Sequence, residues 1–296
     1  MIDIEHKAGF VSIIGRPNVG KSTLINSLMK EKLSIITSKA QTTRHRIRGL
    51  INGDDFQIVL SDTPGILEPN YKLQEAMMKF IKETLIDSDI LVVVEEAGNK
   101  DPFEKSYIDK LNSIKIPIIV LLNKIDISSQ EDLEKSINYW GKIFPSSEIY
   151  PISAIEGFFV DELIDIFKKK LPYSPPYFPK DQFTDKSERF FVNETIREQI
   201  LLNYDKEIPY SVEIITEEFK VTSKLIKIRS LILVERESQK GIIIGHKGTS
   251  LKKVATRARE NLEKFFDKKI FLDVFIKVRK NWRNDPSSLK KFGYNI

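Results

Sequence analysis

Residues 10–22 read Phe10-Val-Ser-Ile-Ile-Gly-Arg-Pro-Asn-Val-Gly-Lys-Ser22, an apolar run that ends in a turn bounded by glycines. The last eight residues fit the pattern GxxxxGK[ST]. The setting that the pattern needs is also present, with a strand-like run before it and a helical pattern, Lys21–Lys30, after it. In such a turn the backbone N–H groups at the helix start converge and cradle phosphate, the lysine reaches the β and γ oxygens, and the serine hydroxyl is offered to Mg2+. Gly15, Arg16, Pro17, Asn18, Val19, Gly20, Lys21, Ser22 and Thr23 are therefore the first candidates for nucleotide contact. Among them Ser22 is a candidate metal ligand and Lys21 a candidate catalytic group.

Outward from this turn, short apolar runs rich in β-branched residues alternate with helix-sized intervals. Phe10–Gly15, Gln57–Ser61, Ile90–Glu95, Ile116–Asn123 and Glu148–Ile152 read as strands. Lys21–Lys30, Lys72–Ser88, Phe103–Ile114, Glu131–Ile143 and Phe159–Lys170 read as helices. Continuously apolar strands separated by helices predict an α/β P-loop domain over residues 1–172, with a mostly parallel, doubly wound sheet covered on both faces. Ligands of such sheets bind beyond the carboxyl ends of the strands.

Three further segments fall at those ends. Asp62, Thr63, Pro64 and Gly65 follow the strand Ile58–Ser61; an Asp here holds a metal through water, and the Gly65 amide meets a γ-phosphate, which makes Gly65 a candidate catalytic position. Asn123-Lys-Ile-Asp126 ends another strand. A carboxylate there accepts two hydrogen bonds from the N1–H and 2-amino groups of guanine, which adenine does not offer, so Asp126 selects GTP and GDP over adenine nucleotides. Lys124 would lie over the base and Asn123 would tie the loops together. Ser153, Ala154 and Ile155 would close the base pocket with backbone amides, a weak signal by itself.

Bulk properties limit the alternatives. The chain has 296 residues, long for one core and comfortable for two domains. There is no cysteine, and three histidines are too scattered for a zinc cluster, so a reducing, cytoplasmic setting is expected. The longest apolar run, 116–122, is far short of the ~20 residues that span a bilayer, and the first ten residues lack the apolar centre of a signal peptide. Residues 1–174 hold 22 Lys and Arg against 25 Asp and Glu, a net −3; residues 175–296 hold 25 against 17, a net +8. Within 240–291 the excess is 15 over 5. That segment would gather a polyanion or serve as a solvated lysine-rich face.

Leu171-Pro-Tyr-Ser-Pro-Pro-Tyr-Phe-Pro179 has four prolines in nine residues, which makes 173–185 an extended, semi-rigid linker to a second domain, 186–296. There a helical pattern (Ser187–Leu202) is followed by two strand patterns (Tyr210–Phe219 and Lys224–Arg236). A short helix into Gly241–Ile244, the turn Gly245-His-Lys-Gly248, a long helix (Thr249–Phe266) and a strand (Ile270–Lys280) complete it. In the long helix Leu251, Val254, Ala255, Ala258, Leu262 and Phe265 form an apolar stripe. The turn is too short between its glycines, and its lysine is misplaced, for a second nucleotide loop. A tight helical turn is one reading of it. The other is a phosphate-backbone grip made by Ile244, Gly245, His246, Lys247, Gly248, Lys252 and Lys253, with at least one of Ile242, Ile243 and Ile244 facing the core.

The α-β-β-α-α-β order with its GXXG turn resembles the type II KH domain, which clamps single-stranded RNA. In the first half Gln41-Thr-Thr-Arg-His-Arg46 resembles the switch loop of the Era family of bacterial GTPases, and the resemblance covers nearly the whole chain. It implies a GTP-hydrolysing switch that binds 16S rRNA near its 3′ end and assists processing and assembly of the 30S subunit. It also implies peripheral association with the inner membrane face; a monomer is expected. Thr43 matches the switch threonine that ligates Mg2+ when GTP is bound and is a further candidate catalytic residue. Asn18 matches the asparagine that holds K+ in potassium-activated relatives, although turn geometry alone also accounts for it. Arg44, His45 and Arg46 read otherwise as a solvated basic loop. Ras-like enzymes place a water-orienting glutamine after Gly65, where this chain has Ile66, so unassisted turnover should be slow, on the order of ~10⁻⁴ s⁻¹. Two rival readings remain: an RNA-binding scaffold stabilised by its nucleotide, and a signalling GTPase whose basic half meets anionic lipid.

Overall fold

The computed structural model describes residues 5–99 and 103–295, which fold as two compact units. Unit 1 takes Met1–Ser34, Thr43–Glu68 and Met77–Asp185; unit 2 takes Ile35–Thr42, Pro69–Ala76 and Lys186–Ile296.

Unit 1 is built on a six-stranded sheet of β1 (Lys7–Gly15), β2 (Ile47–Asn52), β3 (Phe56–Asp62), β4 (Ile90–Glu96), β5 (Ile118–Asn123) and β6 (Glu148–Pro151). The order is β2-β3-β1-β4-β5-β6, and every pairing is parallel except β2 with β3. Helices α1 (Lys21–Met29), α2 (Lys72–Asp87), α3 (Lys105–Asn112) and α4 (Gln130–Ile143) lie between the strands in sequence, and α5 (Asp161–Lys170) follows the last of them. All five residues Ile90–Val94 of β4 are fully buried, which accounts for an apolar run without alternation. Local signals agree with the packing. The α4 N-cap Ser129 accepts a hydrogen bond from the Asp132 amide, and α5 begins with Asp161 and Glu162 and ends with three lysines, which complements the helix dipole.

Three features add to or correct the sequence reading. β2 was not foreseen: it follows a basic stretch, carries Arg48, and gains its strand character by antiparallel pairing of Ile47–Asn52 with Asp62–Gln57. Arg44 and Arg46 are buried rather than solvated, and Arg46 donates to Asp87 at 2.7 Å and to the Ser61 hydroxyl at 3.1 and 3.2 Å. The extended proline-rich segment is hydrogen-bonded along unit 1. Gln57 Oε1 accepts from the amides of Tyr177 and Phe178 at 2.8 and 3.0 Å, and the Leu50 amide donates to the Phe183 carbonyl at 3.0 Å.

Unit 2 contains α6 (Glu188–Asn203), β7 (Glu213–Val221), β8 (Ile226–Val234), α7 (Glu237–Ile244), α8 (Thr249–Phe266), β9 (Ile270–Val278) and α9 (Pro286–Lys291). β8 is the middle strand, antiparallel to β7 and parallel to β9. Val192, Ile196 and Ile200 of α6, Ile226, Ile228 and Ile232 of β8, and Val254, Ala258 and Leu262 of α8 share one core. Each such apolar side chain contributes about 1.5–3 kcal/mol when fully buried. Ile243 joins this core, as expected of one of the three isoleucines. Phe265 does not: it is 43% exposed, and Phe266 packs against the core in its place. Trp282 is fully buried, its indole N–H donating to the Ser211 carbonyl at 3.1 Å, while Tyr294 donates to Glu213 at 3.0 Å. Among the described residues no helix is long and apolar enough to cross a membrane.

Candidate functional site

The carboxyl ends of β1, β3, β4 and β5 place chemistry on one edge of unit 1. Gly15–Gly20 leaves β1 as a turn and α1 begins at Lys21. Lys21 is buried, and its ammonium donates to the carbonyls of Gly15 and Arg16 at 3.0 and 2.7 Å. Desolvation lowers its pKa to about 8, against the pull of the Asp62 and Glu95 carboxylates. Gly20 adopts φ +98°, and an added Cβ would lie 2.1 Å from Asn123 Nδ2, so a side chain is excluded at this point. Asn18 is exposed, with φ +66°. Val19 is buried, whereas Arg16, Pro17, Ser22 and Thr23 are half-buried.

Three oxygens converge beside Lys21. The Ser22 and Thr43 hydroxyls are 2.9 Å apart, Ser22 donates to Asp62 Oδ2 at 3.0 Å, and Thr43 donates to the same oxygen at 3.4 Å. Asp62 is fully buried at the end of β3, burial raises its pKa, and its Oδ1 has no hydrogen-bond partner in the protein. Two hydroxyls and a carboxylate with a buried, unpartnered oxygen fit a small, hard cation such as Mg2+, which prefers oxygen ligands and keeps several waters. Among the described residues no group of three His, Cys, Asp or Glu is placed for a metal, so this hydroxyl-rich set is of a different kind. Thr63, buried, donates to the Ile13 carbonyl at 2.7 Å, and the Ile66 amide donates to the Gly15 carbonyl at 3.1 Å. Pro64 is buried, and Gly65 lies so close that a Cβ would meet the Pro17 nitrogen at 2.7 Å.

At the end of β5, Asn123 Nδ2 donates to the Val19 carbonyl at 2.8 Å, and Asn123 Oδ1 accepts from the Ala154 amide at 2.9 Å. One buried side chain thus joins the Gly15–Ser22 turn to the Ser153–Ile155 turn. Asp126 is exposed, held by the Ser153 hydroxyl at 2.6 Å, and Lys124 pairs with Glu96 at 2.5 Å. Ser153 and Ala154 are buried, while the Ile155 side chain is 73% exposed.

Sequence reasoning missed two groups. Glu95, at the end of β4, is fully buried with neither carboxylate oxygen hydrogen-bonded in the protein; burial pushes its pKa up to about 8, opposed by Arg16 and Lys21. An acid ending a buried parallel strand was the available signal. The other is Arg197 in unit 2. Buried and paired with Glu194, it donates to the carbonyls of Gln41, at 3.3 Å, and Thr42, directly before Thr43 in the chain. In the same unit Tyr71 donates to Gln41 Oε1 at 3.0 Å, and the Arg283 guanidinium lies 4.9 Å from the Tyr71 ring centre.

The second candidate site is the turn between α7 and α8. Gly245, Lys247 and Gly248 take φ +70°, +49° and +78°, and a Cβ on Gly245 would sit 2.2 Å from Ser250 Oγ. His246 and Lys247 are exposed, as are Lys252 and Lys253 on the first two turns of α8; Ile244 is half-buried and Ile242 is 49% exposed. The combination is a glycine-permitted backbone, a helix start and exposed cations.

The model of a family described as 50S ribosome-binding GTPase matches residues 10–124, and a KH domain model matches 207–283. The chain is 48% identical over 295 residues to GTPase Era of Syntrophus aciditrophicus, covering 99% of this chain and 96% of that one. It is 44% identical over 293 residues to GTPase Era of Clostridium kluyveri, covering 97% and 99%. Among solved structures it is similar to Era in complex with MgGDPNP and nucleotides 1506–1542 of 16S ribosomal RNA, with a TM-score of 0.93 and 36% identity over 98% of this chain and 100% of that chain. It is similar, with the same TM-score and 37% identity over 98% and 100%, to an Aquifex aeolicus Era variant bound to GDP and aluminium fluoride.

Proposed function

From the premise that the chain belongs to the Era family of GTPases, enzymes that hydrolyse GTP, we propose that nucleotide state in unit 1 sets when unit 2 holds single-stranded RNA from the 3′ end of 16S rRNA, during assembly and rRNA processing of the 30S subunit. The observation that carries this reading is the joint presence of the Ser22, Thr43 and Asp62 oxygens beside Lys21 and, in the next residues back, the Gln41 and Thr42 carbonyls held by Arg197.

In this reading the amides of the Gly15–Ser22 turn receive the phosphates, and Lys21 exchanges its two backbone carbonyls for phosphate oxygens. Ser22 and Thr43 would hold Mg2+ directly and Asp62 through water; when bound, the ion neutralises charge on the β and γ oxygens. The Gly65 amide meets the γ-phosphate. Asp126 accepts from guanine, Lys124 covers the base, and the Ser153, Ala154 and Ile155 backbone closes the pocket. Ile66 offers nothing to orient water, so turnover is slow without help. We extend the reading to K+ at Asn18: KCl should raise turnover over NaCl, and equal rates would assign Asn18 to backbone geometry alone.

RNA would enter along Ile244–Gly248 with Lys252 and Lys253 on its backbone. If about five phosphates are neutralised, log affinity should fall with log salt at a slope of roughly −3.5. The protein would work as a cytoplasmic monomer, with any membrane contact peripheral. The test is binding of a short rRNA 3′-end oligonucleotide in the presence of GDP and of a non-hydrolysable GTP analogue. The affinities should differ several-fold, and equal values would remove the switch and leave a scaffold.

A further inference from the structure

The three-stranded sheet of unit 2 has a second face, turned away from the helices. On the inner face Ile226, Ile228 and Ile232 of β8 are in the core, with Leu272, Val274 and Ile276 of β9 packed against it. Alternation therefore puts Lys227, Arg229, Leu231 and Leu233 of β8 and Phe271, Asp273, Phe275 and Lys277 of β9 on the outer face. The register arranges them in four rows across the strands: Glu213, Leu233, Lys277; Ile215, Leu231, Phe275; Glu218, Arg229, Asp273; and Lys220, Lys227, Phe271.

The tail covers only the Glu213–Leu233 part of the first row, because Tyr294 reaches Glu213 and Leu233 is buried, while Lys277 on the edge strand stays exposed. The other end is bare. Phe271 is 59% exposed and Phe275 48% exposed, on the edge strand and about 13 Å apart along it. The Arg229 guanidinium already lies 5.6 Å from the Phe275 ring centre. The two acids are engaged internally, Glu218 with Lys220 at 3.2 Å and Asp273 with Arg229 at 3.9 Å, which leaves Lys227 and Lys277 exposed at the two ends of the aromatic stretch. Exposed aromatic rings spaced along a strand and bordered by cations suit single-stranded nucleic acid, whose bases stack on the rings while phosphates meet the cations. A hydrophobic protein partner would be poorly served by the charged row between the two rings.

We infer that this outer face is a second RNA-contact surface, separate from the Gly245–Gly248 turn, on which Phe271 and Phe275 stack bases of single-stranded RNA flanking the segment held at the turn and Lys227 and Lys277 meet its phosphates. The inference rests on the RNA reading above.

The experiment compares, on the full-length protein, a nine-nucleotide rRNA 3′-end oligonucleotide with the same segment flanked by ten mixed-sequence nucleotides on each side. The wild type should bind the flanked form at least about tenfold more tightly. Phe271→Ala with Phe275→Ala should remove that advantage and leave the short form unchanged, while Phe271→Tyr with Phe275→Tyr should keep it. Lys227→Gln with Lys277→Gln should flatten the salt slope of the flanked form by about 1.4 and leave that of the short form alone. Phe275→Trp adds a direct signal: its emission should be quenched by the flanked form only. An unchanged advantage in the double alanine variant, or a loss of anionic vesicle binding or self-association in place of the RNA effect, overturns the inference while the RNA reading stands. A wild-type protein that binds neither oligonucleotide overturns both.

Discussion

The hydroxyls of Ser22 and Thr43 stand 2.9 Å apart and share Asp62 Oδ2, although 20 residues separate them in sequence. A small all-oxygen site is thus assembled from a helix start, a loop and a strand end. Thr43→Ala should weaken binding of a GTP analogue with Mg2+ by about 10- to 100-fold, the value of one or two hydrogen bonds to a charged group, and change GDP affinity less than threefold. Titration with both nucleotides at saturating Mg2+ checks this; equal losses for the two would mean that Thr43 holds the pocket together and does not read the γ-phosphate.

Asn123 joins two turns through one donor and one acceptor, and Gly20 is shaped to its amide. Asn123→Ala would leave the Val19 carbonyl and the Ala154 amide without a partner, which costs roughly 2–3 kcal/mol. In nucleotide-free protein the unfolding of unit 1 should fall by about 5–10 °C in a calorimetric scan, with the transition of unit 2 unmoved. A drop shared by both would show that the two do not unfold separately.

Glu95 and Lys21 give nucleotide-free protein an unusual pH profile. Glu95 keeps its proton in the folded state to about pH 8 but gives it up near 4.5 when unfolded, so stability falls as pH rises between those values. The raised pKa of Asp62 adds to this fall. Lys21 acts in the opposite sense. Its folded pKa of about 8 lies below the ordinary 10.5, so the cost of its charge is fully present below pH 8 and is relieved on going to 10.5. Urea midpoints measured from pH 5 to 10 should therefore pass through a minimum near pH 8, and Glu95→Gln should flatten the lower limb. A variant with the same lower limb as the parent would show that Glu95 is not its source.

The turn between α7 and α8 tolerates no ordinary side chain at Gly245, and at Gly248 the space is open while φ is +78°. Gly248→Asp therefore adds mainly a negative charge and some backbone strain, of order 1 kcal/mol. It should reduce binding of the short rRNA oligonucleotide more than tenfold and leave GTP hydrolysis without RNA within twofold. A parallel loss of hydrolysis would point to misfolding instead of a lost grip.

The sheet of unit 1 was legible because parallel strands buried on both faces leave unbroken apolar runs, and the Gly15–Ser22 turn announces itself by glycine spacing. β2 was not, since an edge strand of Ile47–Asn52 that follows Arg44 and Arg46 and contains Arg48 owes its form to its partner β3. Arg44 and Arg46 carry the same lesson: a basic cluster in sequence is silent about whether Asp87 and Ser61 wait for it in the fold. In α8 the apolar period was evident, but Phe265 and Phe266 are neighbours, and only the packing decides which ring turns inward. The kinship of segments 35–42 and 69–76 with the C-terminal unit depends on Arg197, Tyr71 and Arg283, residues far apart in sequence and in no shared motif.

The anchoring of Trp282 on Ser211 and of Tyr294 on Glu213 gives the order of synthesis a physical meaning. Those side chains emerge 71 and 81 residues after the residues they anchor on. A nascent chain halted before Trp282 would hold β7, β8 and β9 in hand yet leave Leu233 and the start of β7 in water. Unit 2 thus closes late, and truncated translation products should be recognisable by that uncovered patch to chaperones and proteases.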